Sequence, residues 1–111
     1  MRRVDEAVRQ VLSDAVAQEL QDPRIGFVTM TSVKTSPDLR HARVYVSVLG
    51  DERRRADTLA GLTSAHGALQ RRLARELRLK RTPTLEFLYD DTTDRAMRLE
   101  EILERGRAGE A

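Results

Sequence analysis

The chain has 111 residues, the size of one domain and too short for two ordinary ones. It contains no cysteine, which excludes disulfides, thiolate metal sites and cysteine nucleophiles, and no run of about 18 apolar residues that would span a bilayer. Charged residues make up 34% of the chain while the formal net charge is only +2, so any case for a polyanionic partner rests on where the charges fall. A chain of this length buries roughly 65% of the surface its unfolded form exposes, enough for one modest core. The start, Met1-Arg2-Arg3-Val4-Asp5-Glu6, turns acidic where a signal peptide would need an apolar run. Together with the lack of cysteine this makes the cytoplasm the expected location. Aromatics at 4% leave few rings for repeated base stacking.

From Arg3 to about Leu20, Val4, Val8, Val11, Leu12, Ala15 and Val16 recur at helical spacing, with Arg9, Gln10, Asp14, Gln18 and Glu19 outside that stripe. This predicts an amphipathic helix, which Asp22-Pro23 ends because proline disfavours helical backbone in the residue before it. Phe27 to Val33 is rich in β-branched residues and reads as a strand. Its buried face is ambiguous, since Val28 and Met30 compete with Phe27 and Val33. Ser36-Pro37-Asp38 supplies a turn, and Ala42, Val44, Val46 and Val48 then alternate with Arg43, Tyr45 and Ser47. That is a half-buried strand, antiparallel to its predecessor.

Gly50-Asp51 opens a second helix with Asp51 as N-cap and Ala56, Leu59 and Leu62 on its inner face. A third helix carries Leu69, Leu73 and Leu77. Between them Ala65-His66-Gly67 marks a break, because an interior glycine costs roughly 1 kcal/mol relative to alanine. Thr82-Pro83 stops the third helix, Leu85, Phe87 and Tyr89 mark a third strand, and Asp91-Thr92-Thr93 caps a last helix with inner positions Ala96, Leu99, Ile102 and Leu103. Without repeats or linkers, these elements predict one α+β domain with its helices on one face of a three-stranded sheet. Residues 1–105 form the domain, and 106–111 are expected to be a flexible tail.

The densest chemical signal is Arg71 to Arg81. On a helix, Arg71, Arg75 and Arg78 share a face opposite the leucines, and with little acid nearby their guanidinium groups suit phosphate oxygens. Arg72, Lys80 and Arg81 add to the cluster, as do Arg53-Arg54-Arg55 and a basic start at Arg2 and Arg3. A solvated helix face is the plain alternative, arginine being a good helix former. Asp90, Asp91, Asp94, Glu100, Glu101 and Glu104 make the opposite end acidic, an asymmetry that orients a molecule on a polyanion. Signals for catalysis are weak. The two histidines, His41 and His66, have no metal-ligand spacing, nothing resembles a nucleophile elbow or a glycine-rich phosphate loop, and Asp90-Asp91 suits capping. No cofactor, metal or small-molecule substrate is expected, and no enzyme activity.

Several ordered stretches resemble bacterial ribosome-binding factor A. They are Asp22-Pro23-Arg24-Ile25, Val28 to Val33, Ser36 to Gly50, Ala65-His66-Gly67, Leu77 to Phe87 and Tyr89-Asp90-Asp91, and the similarity runs from about Val4 to Leu103. The resemblance implies a KH-like fold of the second topology, α-β-β-α-kink-α-β. It also implies a protein that binds the free small ribosomal subunit (30S) and its 16S ribosomal RNA; a monomer with no membrane partner is the default expectation. Such proteins assist late maturation of that RNA, including its 5′ end, leave before translation, and are often tied to growth in the cold. The sequence departs from ordinary KH domains in lacking a GxxG loop, the clamp for single strands. Ala65-His66-Gly67 stands in its place: Gly67 permits the kink, Ala65 allows close approach and His66 can meet phosphate or base. A broad electrostatic and shape-based grip on folded RNA is therefore expected. The alternatives are a KH-like module for another single-stranded RNA, a helix-turn-helix docking on DNA, and a metal-dependent nuclease using Asp90 and Asp91.

Overall fold

A computed structural model describes residues 2–110, apart from the side chains of Arg2, Thr93 and residues 107–110. The order is α1 (Arg2–Glu19), β1 (Val28–Thr35), β2 (His41–Val48), α2 (Glu52–Ser64), α3 (His66–Leu77), β3 (Thr84–Tyr89) and α4 (Thr92–Glu110). The three strands form one sheet in the order β1-β2-β3, with β1 antiparallel and β3 parallel to β2. Helices α2 and α3 make the crossover that a parallel pair requires.

Helix α1 forms where the apolar period is helical, and it buries Val8, Val11, Leu12 and Ala15. Asp5 lies in its first turn, where the helix dipole favours an anion, and accepts from Thr35 N (3.0 Å) and Thr35 Oγ1 (2.6 Å). The helix stops at Glu19. Asp22 then folds the chain back, its Oδ1 accepting from Arg24 N at 2.9 Å.

The ambiguity over β1 is resolved by a β-bulge between Met30 and Ser32. One extra residue shifts the alternation, so that Met30 and Val33 are both buried although three residues apart. Phe27 is left outside, largely exposed. At the far end of the hairpin, Asp38 Oδ1 accepts from Ser36 Oγ (2.6 Å) and Arg40 N (3.0 Å), and Leu39 takes a left-handed φ of 59°.

Asp51 caps α2 as expected, accepting from Arg54 N at 2.9 Å. The buried side of α2 differs from expectation: Ala56 is exposed, whereas Thr58 is buried with Gly61 and Leu62. Thr58 Oγ1 donates to Arg24 O (3.3 Å) and accepts from Gly26 N (3.5 Å), tying α2 to the segment before β1. Leu62, Leu69 and Leu73 meet Val44, Val46, Leu85 and Phe87 of the sheet in one core.

Three further expectations are corrected. Helix α3 ends at Leu77, before Thr82-Pro83, because Arg78 adopts a left-handed cap with φ 49°. Gly67 does not supply the break. It lies in helical backbone without a positive φ, while Ala65 forms the joint at φ −89°, ψ 2°. In α4, the positions expected to face inward are exposed, with Leu99 at 57%, Ile102 at 63% and Leu103 at 52%. The backbone of α4 is helical as far as Glu110, and Ala111 lies outside the described residues. Among the described residues, no helix is long and apolar enough to cross a membrane.

Candidate nucleic-acid interface

The α2–α3 junction is built from small residues because two helices meet there almost without a loop. The Ala65 amide donates to Gly61 O and Leu62 O, both at 3.1 Å, and so completes the end of α2 while starting α3. His66 is exposed, with Nδ1 2.9 Å from Thr63 O. A carbonyl only accepts, so Nδ1 carries the proton and Nε2 is left as the outward group. Arg71 sits one turn on, its Nη1 3.6 Å from where a Cβ on Gly67 would be. Arg71, Gly67 and His66 therefore belong to one surface.

Arg71 and Arg75 lie one turn apart on α3 and both are exposed. Arg72 is different: only 11% of its side chain is exposed, and its guanidinium is held by Glu19 Oε1 (2.8 Å), Gln18 Oε1 (2.9 Å) and Glu76 Oε1 (2.9 Å). The bonds it donates to Glu76 and Glu19 raise its pKa above the ordinary arginine value. Arg75 Nη2 also comes within 3.5 Å of Glu19 Oε1, although 70% of the Arg75 side chain stays exposed. The expected scarcity of acid around α3 is thus incorrect at its α1 side. Glu19 supplies a carboxylate 53 residues away in sequence from Arg72, a pairing that local spacing gives no signal for.

Arg78 does not share the helix face, since it is the left-handed cap; its amide donates to Ala74 O at 3.1 Å. Lys80 and Arg81 are exposed in the connection to β3. Arg3 is exposed in the first turn of α1, at the hairpin-turn end marked by the Asp5–Thr35 bonds. The side chain of Arg2 lies outside the described residues. Arg55 is used internally, stacked 4.2 Å from the Tyr89 ring centre and 3.2 Å from Asp94. Asp90 Oδ2 accepts from Thr31 Oγ1 at 2.7 Å and its Oδ1 from Thr92 N at 3.0 Å, while Asp91 pairs with Arg95 at 2.9 Å. These carboxylates thus hold the start of α4.

The comparisons with known proteins bear on this arrangement. Residues 1–103 match the family model described as ribosome-binding factor A. The chain belongs to the ribosome-binding factor A family. A ribosome-binding factor A of Anaeromyxobacter sp. (strain K) is 54% identical over 106 residues, covering 95% of this chain and 77% of that protein. The crystal structure of a Thermus thermophilus ribosome-binding factor A is similar with a TM-score of 0.71 at 32% identity, covering 79% of this chain and 93% of that one. A homology model of a Thermus thermophilus ribosome-binding factor A, fitted into the cryo-EM map of its complex with 30S, gives a TM-score of 0.65 at 32% identity, over 78% of this chain and 90% of that one. The fold is accordingly α+β and KH-like, of the second topology.

Proposed function

We propose that this protein is an assembly factor for the small ribosomal subunit, which binds the free subunit and its 16S ribosomal RNA and assists late processing of that RNA, including its 5′ end. Support comes chiefly from the outer side of α3, where Arg71 and Arg75 stand exposed beside the Ala65-His66-Gly67 junction. The similar Thermus thermophilus factor, fitted into its 30S complex, supports the choice of partner. Arg71, Arg75, Arg78, Lys80, Arg81 and Arg3 contact phosphates, His66 offers Nε2 as an acceptor to a base or ribose donor, and Ala65 and Gly67 let the backbone come close. Arg72 holds α3 against α1 and contributes to binding through that placement.

The action is binding without chemistry, by a monomer in the cytoplasm and without a cofactor. A protein that prefers one conformer of the subunit's RNA shifts the population toward it, by no more than the difference in affinity between conformers. Loss of the protein is expected to slow growth most in the cold, where RNA rearrangements are slowest. The test is co-sedimentation of the purified protein with isolated small subunits, large subunits and joined ribosomes across a salt series. Selective, salt-sensitive pelleting with small subunits is expected. Equal pelleting with all three particles, or none with any, overturns the proposal.

A further inference from the structure

The core forms on one side of the sheet and leaves exposed side chains at one end of the other side. Its outward positions include Lys34 on β1, His41 and Arg43 on β2, and Thr84 and Glu86 on β3, all exposed. The register sets Lys34 directly opposite Arg43, with Glu86 on the other side of Arg43. Like charges directly opposite one another on antiparallel strands weaken the pairing. Among the described residues, neither Lys34 nor Arg43 has an ion pair to offset this. A depression of about 420 Å³ lies over this row, lined by Lys34, Ser36, His41, Arg43, Thr84 and Glu86 among others.

The surroundings reinforce the charge. Thr84 N donates to Arg40 O at 2.8 Å, so the segment bearing Lys80 and Arg81 enters the sheet beside the turn that carries Arg40. The Asp5–Thr35 bonds bring the first turn of α1, with Arg3, to the same end. Glu86 is the acid within the depression, while Asp5 is hydrogen-bonded by Thr35 and Asp38 by Ser36 and the Arg40 amide. Asp90, Asp91 and Asp94 follow β3 at the opposite end of the sheet. This face thus has a basic end and an acidic end, and its basic end is concave.

We propose that this depression is a second phosphate-binding site, in which Lys34 and Arg43 hold the backbone of an RNA segment on the opposite side of the domain from Arg71 and Arg75. The inference rests on the reading of the protein as an RNA binder and adds to it that the domain is gripped on two faces. An anion between Lys34 and Arg43 turns their mutual repulsion into joint attraction, and Glu86 keeps that anion toward the β1 side. The stability forgone in the hairpin is then recovered on binding.

The test uses Lys34→Glu, Arg43→Glu and the double variant beside Arg71→Glu/Arg75→Glu, in the full chain. Each is titrated against isolated small subunits and against protein-free 16S RNA over a salt series. The Lys34 or Arg43 single change should lower affinity by about tenfold and the slope of log affinity against log salt by roughly 0.7–0.9, the value of one phosphate contact. Lys34→Glu also makes the cross-strand pair with Arg43 attractive, so its melting temperature should equal or exceed that of the parent, whereas Arg43→Glu sets a second carboxylate opposite Glu86 and is read by binding alone. A purely structural role predicts the reverse, a lower melting temperature with intact binding. If the parent binds RNA but these variants bind equally well, the second site is overturned while the RNA reading stands. If affinity falls for subunits and not for free RNA, a ribosomal protein covers the depression and the phosphate assignment is wrong. If the parent binds neither probe, both readings fall.

Discussion

Replacing Gly67 with alanine separates two roles that the sequence runs together. Gly67 invites a conformational explanation, but its φ is not positive and its backbone is helical. An added Cβ would meet only Arg71 Nη1, at 3.6 Å, an ordinary contact with the end of a flexible side chain. Nothing in the fold therefore resists a methyl group. Alanine should stabilise the helix by about 0.5–1 kcal/mol, since glycine loses more backbone entropy on folding. For a domain of this size that raises the melting temperature by roughly 2–6 °C. Binding should move the other way. If the junction approaches the RNA backbone closely, a methyl group there holds the phosphates off and displaces the Arg71 guanidinium. A loss of about threefold to tenfold, or roughly 0.7–1.4 kcal/mol, is expected. Thermal melting by circular dichroism and titration with small subunits read the two effects separately. A lower melting temperature would refute the backbone argument. Unchanged affinity, both for Gly67→Ala and for the bulkier Gly67→Leu, would remove the junction from the interface.

Gly61→Ala should do the opposite, because its Cβ would stand 2.7 Å from Ile25 Cγ1 and 3.3 Å from Ile25 Cδ1. Overpacking of about 1–3 kcal/mol outweighs the propensity gain of about 1 kcal/mol, and the urea midpoint should fall; a rise would mean that Ile25 withdraws freely. Arg72→Ala should lower the melting temperature more than Arg71→Ala, because Arg72, unlike Arg71, links α3 to Glu19 and Gln18; equal effects would refute its assignment as a helix tie. Asp90 is held below the usual carboxylate range by hydrogen bonds from Thr92 and Thr31. As pH falls the unfolded chain takes up that proton first, so the stability Asp90 contributes is complete above about pH 4–5 and is lost as pH drops through its folded value. Asp22 and Asp38 are lowered as well and add to the same acid loss. Asp90→Asn should therefore show a shallower fall in urea midpoint between neutral pH and about pH 3, and parallel curves for the two proteins would count against the argument.

Where the fold was legible, a local period and local punctuation agreed. Val44, Val46 and Val48 alternate and are buried; Asp51 precedes a helical run and caps it; Leu69 and Leu73 recur at one turn and enter the core. What escaped was set by contacts between distant segments. The bulge at Thr31 is set by pairing with β2, so the alternation of β1 alone cannot reveal it. Arg72 reads like its neighbours in the arginine run until Glu19 is brought against it. The candidate interface was legible as a cluster, then, but the division of labour among Arg71, Arg72 and Arg75 depends on how α1 packs. Lys34 and Arg43 give no joint signal in the sequence for a related reason: nine positions separate them, and the hairpin register is what sets them opposite each other.

Helix α4 shows why an apolar stripe and a buried face are different things. Periodicity states which residues share a side; burial also requires a surface within reach. Strands lie about 4.8 Å apart and a helix with its side chains is about 10 Å wide, so three strands present a face roughly 14 Å across, which two helices are enough to cover. Helices α1, α2 and α3 already crowd that face, their buried side chains joining those of the sheet in one core, and Phe87 and Val46 are already covered. The opposite face offers Thr29, Lys34, Arg43 and Ser47, against which leucine gains little. Asp94 fixes the first turn of α4 to Arg55 and Tyr89, and beyond it Leu99, Ile102 and Leu103 stay exposed. The same reckoning is open to a reader of the sequence, since three short strands followed by a fourth amphipathic helix already exceed what one sheet face can hold.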